Sequence, residues 1–387
     1  MSIPLAVYLH IPFCRTKCTY CAFNTYIRLD HLIPPFVEAL VREVEIVGRN
    51  QPGLTVGTIF FGGGTPSLLH PEQVGQILEA LARHFRIAPD AEITLEANPN
   101  DVHRDYLTAL RQTGVNRLSL GVQSTNDNEL KLFARRHDND EIAAAVSSAR
   151  MAGFDNLNLD LIYGAPHQTL DSWRWTLKQT LALQPDHLSL YALGLEEGTP
   201  MWDWVNSGRL PAPDDDLSAD MYELATETLE SAGFEQYEIS NWAKPGYMCR
   251  HNLQYWNNLP YLGLGPGAHG YAGGVRYWNI LSPQEYIRKL HDPATSYTFP
   301  CTPVTAEAVP VDRASEISET LIMGLRLTRQ GIQWGSFRER FGIDLRTLHG
   351  RVLDKYTGLR LLEVDQERVR LTRQGRLLSN VIFREFV

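Results

Sequence analysis

The chain has 387 residues, 43% hydrophobic and 21% charged, with a formal charge of −9, the profile of an ordinary folded protein of one large or two unequal domains. Nowhere do about 18 apolar residues follow one another, which excludes a membrane-spanning helix; the opening SIPLAVYLHIPF lacks a basic leader. The acidity is uneven: residues 313–387 hold 14 Lys and Arg against 9 Asp and Glu, so the tail differs in sign from the body.

In chain order, β-like runs alternate with helical stretches. Strands are predicted at 5–10, 56–61, 92–97, 116–122, 156–162 and 186–192, and helices at 33–48, 71–85, 103–113, 139–152, 169–183 and 215–232. Six βα units in succession require parallel strands joined by right-handed crossovers. The expected fold is therefore α/β, a partial (β/α)6 barrel of the TIM type, whose active groups would gather at the C-terminal strand ends.

A strand covered by helices on both faces should read almost continuously apolar. Four of these keep a polar or small face: Thr94 and Glu96; Ser119, Gly121 and Gln123; Asn156, Asn158 and Asp160; His187, Ser189 and Tyr191. Side chains alternate across a strand, so the polar sets read as a lumen that holds a polar ligand.

The barrel is assigned to residues 1–240, and a Gly- and aromatic-rich extension to 241–291. The Pro-rich stretch 292–312 reads as a connector. Beyond it, helical patterns at 314–327, 334–341 and 345–356, two short apolar runs around a polar turn, and a helix near 374–385 suggest a small, mainly helical winged-helix-like module at 313–387.

Directly after the first strand, Cys14, Cys18 and Cys21 stand as C-x3-C-x2-C, three of only five cysteines in the chain. A cubane [4Fe–4S] cluster has four iron corners held mainly by thiolates, so three ligands leave one iron open to a small molecule. A zinc site would need a second ligand pair that does not follow at a usual distance; three unrelated buried thiols are the bland alternative. The odd cysteine count and remote Cys249 and Cys301 disfavour disulfides, pointing to a reducing, cytoplasmic setting.

Gly62-Gly63-Gly64-Thr65-Pro66 follows the second strand. It matches neither the phosphate-loop nor the dinucleotide pattern; it is either a tight βα turn or a place where bare backbone approaches a ligand. An amino-acid-like ligand on the open iron would want a cation such as Arg135 or Arg136 for its carboxylate, and acids or amides such as Glu96, Gln123 and Asp160 for its other groups.

Together Tyr8-x-His10-Ile11-Pro12-Phe13-Cys14-x3-Cys18-x-Tyr20-Cys21, GGGTP, Glu96 in EANP, and GVQS resemble a radical S-adenosylmethionine protein. More narrowly, the chain resembles the group containing oxygen-independent coproporphyrinogen III oxidase and the HemW-type heme chaperones, over nearly its whole length. The resemblance implies a [4Fe–4S] cluster on Cys14, Cys18 and Cys21. It also implies S-adenosylmethionine among Tyr8, Tyr20, Gly63, Gly64, Thr65, Glu96, Gln123, Arg135, Asp160 and Ala192.

Two departures turn it from the oxidase: Phe23 stands where the oxidase has a further cysteine, and His251-Asn252-x2-Tyr255-Trp256 matches the chaperone subgroup's heme-associated pattern. Heme iron needs an axial donor such as neutral imidazole, so His251, with Tyr255 and Trp256, is the heme candidate; Cys249 is the alternative donor. The implied partners are heme and an accepting protein, a membrane-bound heme protein among the options, with room for a homodimer. Coproporphyrinogen oxidation is the second reading. Nucleic-acid binding by the basic tail is the third and is not expected, because acids interrupt the basic residues.

Overall fold

In the computed structural model, which describes residues 4–291 and 297–387, twelve strands form one sheet. Strands β1 (Leu5–Ile11), β2 (Thr55–Gly63), β3 (Arg86–Ala97), β4 (Arg117–Gln123), β5 (Leu157–Tyr163) and β6 (His187–Ala192) lie side by side in chain order. Each is parallel to the next. Helices α1 (Ile33–Asn50), α2 (Pro71–His84), α3 (Arg104–Gln112), α4 (Asn139–Met151), α5 (Leu170–Ala182) and α6 (Asp215–Ser231) follow them in turn.

Local chemistry sets these elements. In α1 the helically spaced Phe36, Leu40, Val44 and Val47 are fully buried, an apolar stripe that must face the sheet. The start of α4 is fixed by a capping box: Asp138 accepts from Glu141 N at 3.0 Å while Glu141 accepts from Asp138 N at 3.0 Å. On the strands, Leu118, Leu120, Leu157, Leu159, Leu188 and Leu190 are buried in the hydrophobic core, and the alternate residues face the lumen.

The barrel does not close. Beyond β6 come antiparallel β8 (Asn241–Ala243) and the edge strand β7 (Glu235–Glu238). On the other side β9 (Tyr261–Leu264) pairs in parallel with β1, followed by antiparallel β10 (His269–Ala272), β11 (Val275–Asn279) and β12 (Thr305–Pro310). Residues 305–310, expected in a connector, are thus the second edge of the main sheet. Pairing with β11 makes them a strand, and Pro310 is tolerated at its end because an edge position need not donate on both sides. Residues 292–296 of that expected connector lie outside the described residues.

The tail has its own apolar cluster, including Leu321, Phe337, Phe341, Leu353, Ile382 and Phe386. Helices α8 (Arg313–Leu325), α9 (Trp334–Phe341) and α10 (Leu345–Gly358) pack with antiparallel β13 (Ile332–Gln333), β14 (Leu362–Val364) and β15 (Arg368–Leu371), β15 lying in the middle. The helix expected near 374–385 is instead two short helices, Arg373–Leu377 and Ser379–Phe383, divided at Leu378, whose φ of −107° and ψ of 18° leave the helical region.

This module covers the open side of the barrel. Arg326 donates to Glu238 on β7 at 3.1 Å, Thr328 Oγ1 donates to Gln236 O at 2.7 Å, and Arg276 on β11 pairs with Glu319 of α8. The Glu238 side chain is fully buried while Arg326 keeps partial solvent contact. We expect Arg326→Ala to leave that carboxylate without its cation and to cost about 1.5 kcal/mol, read as a lower urea midpoint at unchanged slope.

Candidate functional site

The segment after β1 arches over the C-terminal mouth of the barrel. Phe13–Cys14 pairs in parallel with Tyr26–Ile27, and Lys17 Nζ donates to Thr25 Oγ1 at 3.0 Å, closing the loop at its base. Thr19 ties the loop outward, donating through Oγ1 to Leu132 O at 2.7 Å. Backbone N–H groups of Gly64 and Thr65 donate to Ile11 O and Phe13 O, each at 2.8 Å. The glycine run is therefore stitched to the cysteine loop: β2 extends through Gly63, and Gly64 and Thr65 meet the loop backbone instead of turning directly into α2.

Cys14, Cys18 and Cys21 are all free thiols bordering one cavity of ≈640 Å³. Thr65 Oγ1 donates to Cys14 Sγ and Arg135 Nη1 to Cys18 Sγ, both at 3.4 Å, and such bonds tune thiolate electronics. Burial raises the thiol pKa of Cys14 and Cys21, opposed at Cys14 by the Thr65 bond and at Cys21 by the Phe23 backbone. Among the described residues no three His, Cys, Asp or Glu side chains converge closely enough for a single metal ion. Three thiols spaced around a shared space fit a multi-iron cluster, in which each binds a different iron.

Most of the residues expected around the cofactor border this same cavity: Tyr20, Gly63, Gly64, Thr65, Glu96, Gln123, Arg135, Asp160 and Ala192. Strand ends bring them together, since Gly63, Glu96, Gln123 and Ala192 stand at or beside the last residues of β2, β3, β4 and β6. Gln123 has φ of 65° beside a register shift between β4 and β5, a strained turn of the chain typical of ligand sites. The Glu96 carboxylate accepts from Gly63 N at 3.1 Å; burial, reinforced by Asp160, pushes its pKa up to about 8.

Two expectations need correction. Tyr8 does not border the cysteine cavity. It lines an adjoining lumen pocket of ≈200 Å³ that shares Glu96, Asp160 and Tyr191 with it, because β1 is already inside the barrel at that height. Arg136 is not a ligand clamp; it pairs with Asp101 at 2.6 Å. Arg135 is also held, by Asn98 Oδ1 and by Gly121 O at 2.6 Å, so it braces Cys18.

His251 departs furthest from expectation. It lies on α7 (Arg250–Trp256), which plugs the lower lumen, and is 1% exposed. Its Nδ1 shares a hydrogen bond with Thr58 Oγ1 and its Nε2 with Tyr255 Oη, both at 2.8 Å. Burial, with Arg117 nearby, pushes its pKa down to about 3. With both ring nitrogens bonded, no lone pair is left for iron in this arrangement. Cys249 fares no better: burial pushes its pKa up to about 12, and it faces Glu92. Tyr255 is taken up by His251, whereas Trp256 packs under Arg326, 4.3 Å from its ring centroid.

The polar lumen is largely self-satisfied. Ser119 donates to Asp160 at 3.1 Å, Asn158 to Ser119 at 2.7 Å, His187 Nδ1 to Asn158 at 2.6 Å and Ser189 to Asn241 at 2.8 Å. Sequence reasoning read the alternating polar faces as ligand-facing, but only the members nearest the mouth, Glu96, Gly121, Gln123, Asp160 and Tyr191, reach the cavity. It missed Arg117, buried on the same alternating face, and Asn98, which joins Arg135 to Thr65. Parity with Ser119 was the available signal for the first, and parity with Glu96 in the same EANP run for the second.

Comparison with known proteins agrees with this geometry. Residues 8–180 match the radical SAM superfamily and residues 311–378 the HemN C-terminal domain. The chain is 39% identical over 384 residues to the heme chaperone HemW of Mycobacterium tuberculosis, covering 98% of this chain and 94% of the relative. To the HemW of Bacillus subtilis it is 37% identical over 385 residues, 99% of each. The coproporphyrinogen III oxidase HemN of Escherichia coli superposes with a TM-score of 0.85 at 26% identity, over 99% of this chain and 90% of that one. Three thiols and a strand-end cavity on a partial barrel, joined to near full-length likeness, place this chain in the radical SAM superfamily, as a member of its HemW family.

Proposed function

We propose that the protein is a heme chaperone: it takes up heme and passes it to an acceptor protein, with a [4Fe–4S] cluster and S-adenosylmethionine at the barrel mouth. The observation that carries this reading is the likeness to HemW chaperones over 94% and 99% of their lengths. Coproporphyrinogen oxidation is the runner-up, favoured by the HemN superposition, and Phe23 in place of the oxidase's extra cysteine weighs against it.

In this reading Cys14, Cys18 and Cys21 hold the cluster. Tyr20, Gly63, Gly64, Thr65, Gln123 and Ala192 surround the methionine and adenosine parts, and Glu96 and Asp160 supply negative charge. When bound, the pair of cofactors supplies one-electron chemistry through an open iron. The chain's own contribution is placement: Thr65 and Arg135 orient two sulfurs, and the loop of residues 14–25 shields the cavity from water. Among the described residues no helix is long and apolar enough to cross a membrane; we place the protein in the cytoplasm, docking transiently on an acceptor that is itself membrane-bound, and leave room for a homodimer.

The test is anaerobic reconstitution followed by titration with hemin and, separately, assay with coproporphyrinogen III. We expect saturable heme binding with a shifted Soret band and no decarboxylated product. Efficient product formation without heme binding would reverse the order of the two readings.

A further inference from the structure

The polar lumen has one member that its neighbours leave unbonded. Arg117, the first residue of β4, is 2% exposed. Among the described residues its guanidinium makes no hydrogen bond or ion pair, and its buried Nε is without a partner. A guanidinium is a fixed fork of N–H donors that stays charged, and burying such a group unpaired is costly. The acids around it are committed elsewhere. Glu92 accepts from the backbone N–H groups of Arg250 and His251 at the start of α7, each at 3.0 Å. Asp160 accepts from Asn158 at 2.7 Å and from Ser119 at 3.1 Å. Burial opposes the charge of Arg117, and Glu92 and Asp160 favour it without bonding it.

Arg117 borders the lumen pocket of ≈200 Å³, and Glu96 and Asp160 border the same pocket. One small space is thus lined by a cation and two acids, with Tyr8, Phe60 and Tyr255 as aromatic wall; the rings of Tyr8 and Phe60 stack with centroids 6.3 Å apart. A simple anion would meet the acids there, and a simple cation would meet the guanidinium. A molecule that carries both charges satisfies each end. A planar carboxylate matches the guanidinium fork, and an ammonium suits the two acids. Burial raises the pKa of both acids, and a neighbouring ammonium draws them back toward the charged form. The volume is below the roughly 300 Å³ at which pockets for drug-sized ligands begin, which excludes a macrocycle.

We infer that this lumen pocket binds a free α-amino acid with a short side chain, its carboxylate on Arg117 and its ammonium between Glu96 and Asp160. Glu96, Asp160 and Tyr191 also border the cysteine cavity, so the pocket opens toward the barrel mouth and the amino acid lies beneath the cofactor space. The site goes beyond the heme-chaperone reading and does not depend on it.

The test uses the full chain, anaerobically reconstituted and free of S-adenosylmethionine, in equilibrium dialysis with radiolabelled glycine and alanine, and with acetate and methylammonium as the separate halves of the ligand. We expect saturable uptake of glycine or alanine at one equivalent, about tenfold or more tighter than either half. Arg117→Lys, which keeps the charge without the fork, should weaken that binding by about tenfold, and Arg117→Met should abolish it; cluster absorbance verifies that each variant is folded. Should Arg117→Met lose its cluster, the wild-type comparison and Arg117→Lys still decide. No saturable uptake by the wild type, or acetate bound as tightly as glycine, would overturn the site. So would undiminished binding in the Arg117 variants, which would put the amino acid at the cysteine loop instead. None of these readouts involves heme, so failure here leaves the chaperone reading intact.

Discussion

Gly64→Ala is expected to strip the protein of S-adenosylmethionine and to weaken cluster retention. A Cβ at this position would lie 2.7 Å from both Ile11 O and Phe13 O, backbone atoms that cannot rotate away. The same residue donates its N–H to Ile11 O at 2.8 Å, so relieving the clash breaks the stitch between the glycine run and the cysteine loop. Overpacking of this kind costs about 3 kcal/mol, equivalent to about a hundredfold in affinity if the displacement falls on the site. Iron and sulfide content together with equilibrium dialysis of S-adenosylmethionine would measure it. Retention of both at wild-type levels would show that the loop and the glycine run are not one unit.

The second large effect is expected at Glu96. With its pKa pushed up to about 8 by burial and by Asp160, the free protein holds a proton there at pH 7. A cationic ligand beside the carboxylate favours the charged form, so binding expels that proton, and affinity should rise with pH until about 8 and then level off. Glu96→Gln should remove the pH dependence and cost about 2 kcal/mol of binding. Calorimetry in buffers of different ionisation enthalpy reads the released proton directly; equal proton release by wild type and E96Q would refute the assignment.

The same shift has a signature without ligand. Because the folded-state pKa lies above the unfolded one, the native state keeps a proton the unfolded chain has lost. Stability from this group is full below the ordinary carboxylate range and is lost as pH rises through about 8. E96Q should flatten that decline. Asp160, also raised by burial although Asn158 and Ser119 partly stabilise its charge, acts in the same direction.

Much of the site was legible because it is built from short-range pattern. Spacing alone marks Cys14, Cys18 and Cys21 as the candidate ligands, and the period-two faces of β3 to β5 put Glu96, Gln123 and Asp160 on the lumen side before any fold was known. The repeated βα order fixed the parallel neighbours β1 to β6, since only right-handed crossovers join such strands. What spacing could not supply was height along the barrel. Tyr8 and Glu96 both face the lumen, yet only the latter stands at the mouth, and Ser119 and Asn158 bond each other below it.

Contacts between residues far apart in sequence were decided by the tertiary structure alone. His251 reads as a donor in isolation, but Thr58, from a strand nearly two hundred positions earlier, occupies its Nδ1. Arg117 carries no motif, yet folding leaves its guanidinium unbonded at the lumen pocket. The strand at 305–310 is defined by pairing with β11 rather than by its own Pro-rich composition. The sequence by itself determined which side chains share a face and which thiols can share a cluster, because those follow from the local geometry of the backbone. Which nitrogens and carboxylates remain unbonded was decided only in the folded protein, because hydrogen bonding within the core is settled by partners that local order does not bring together.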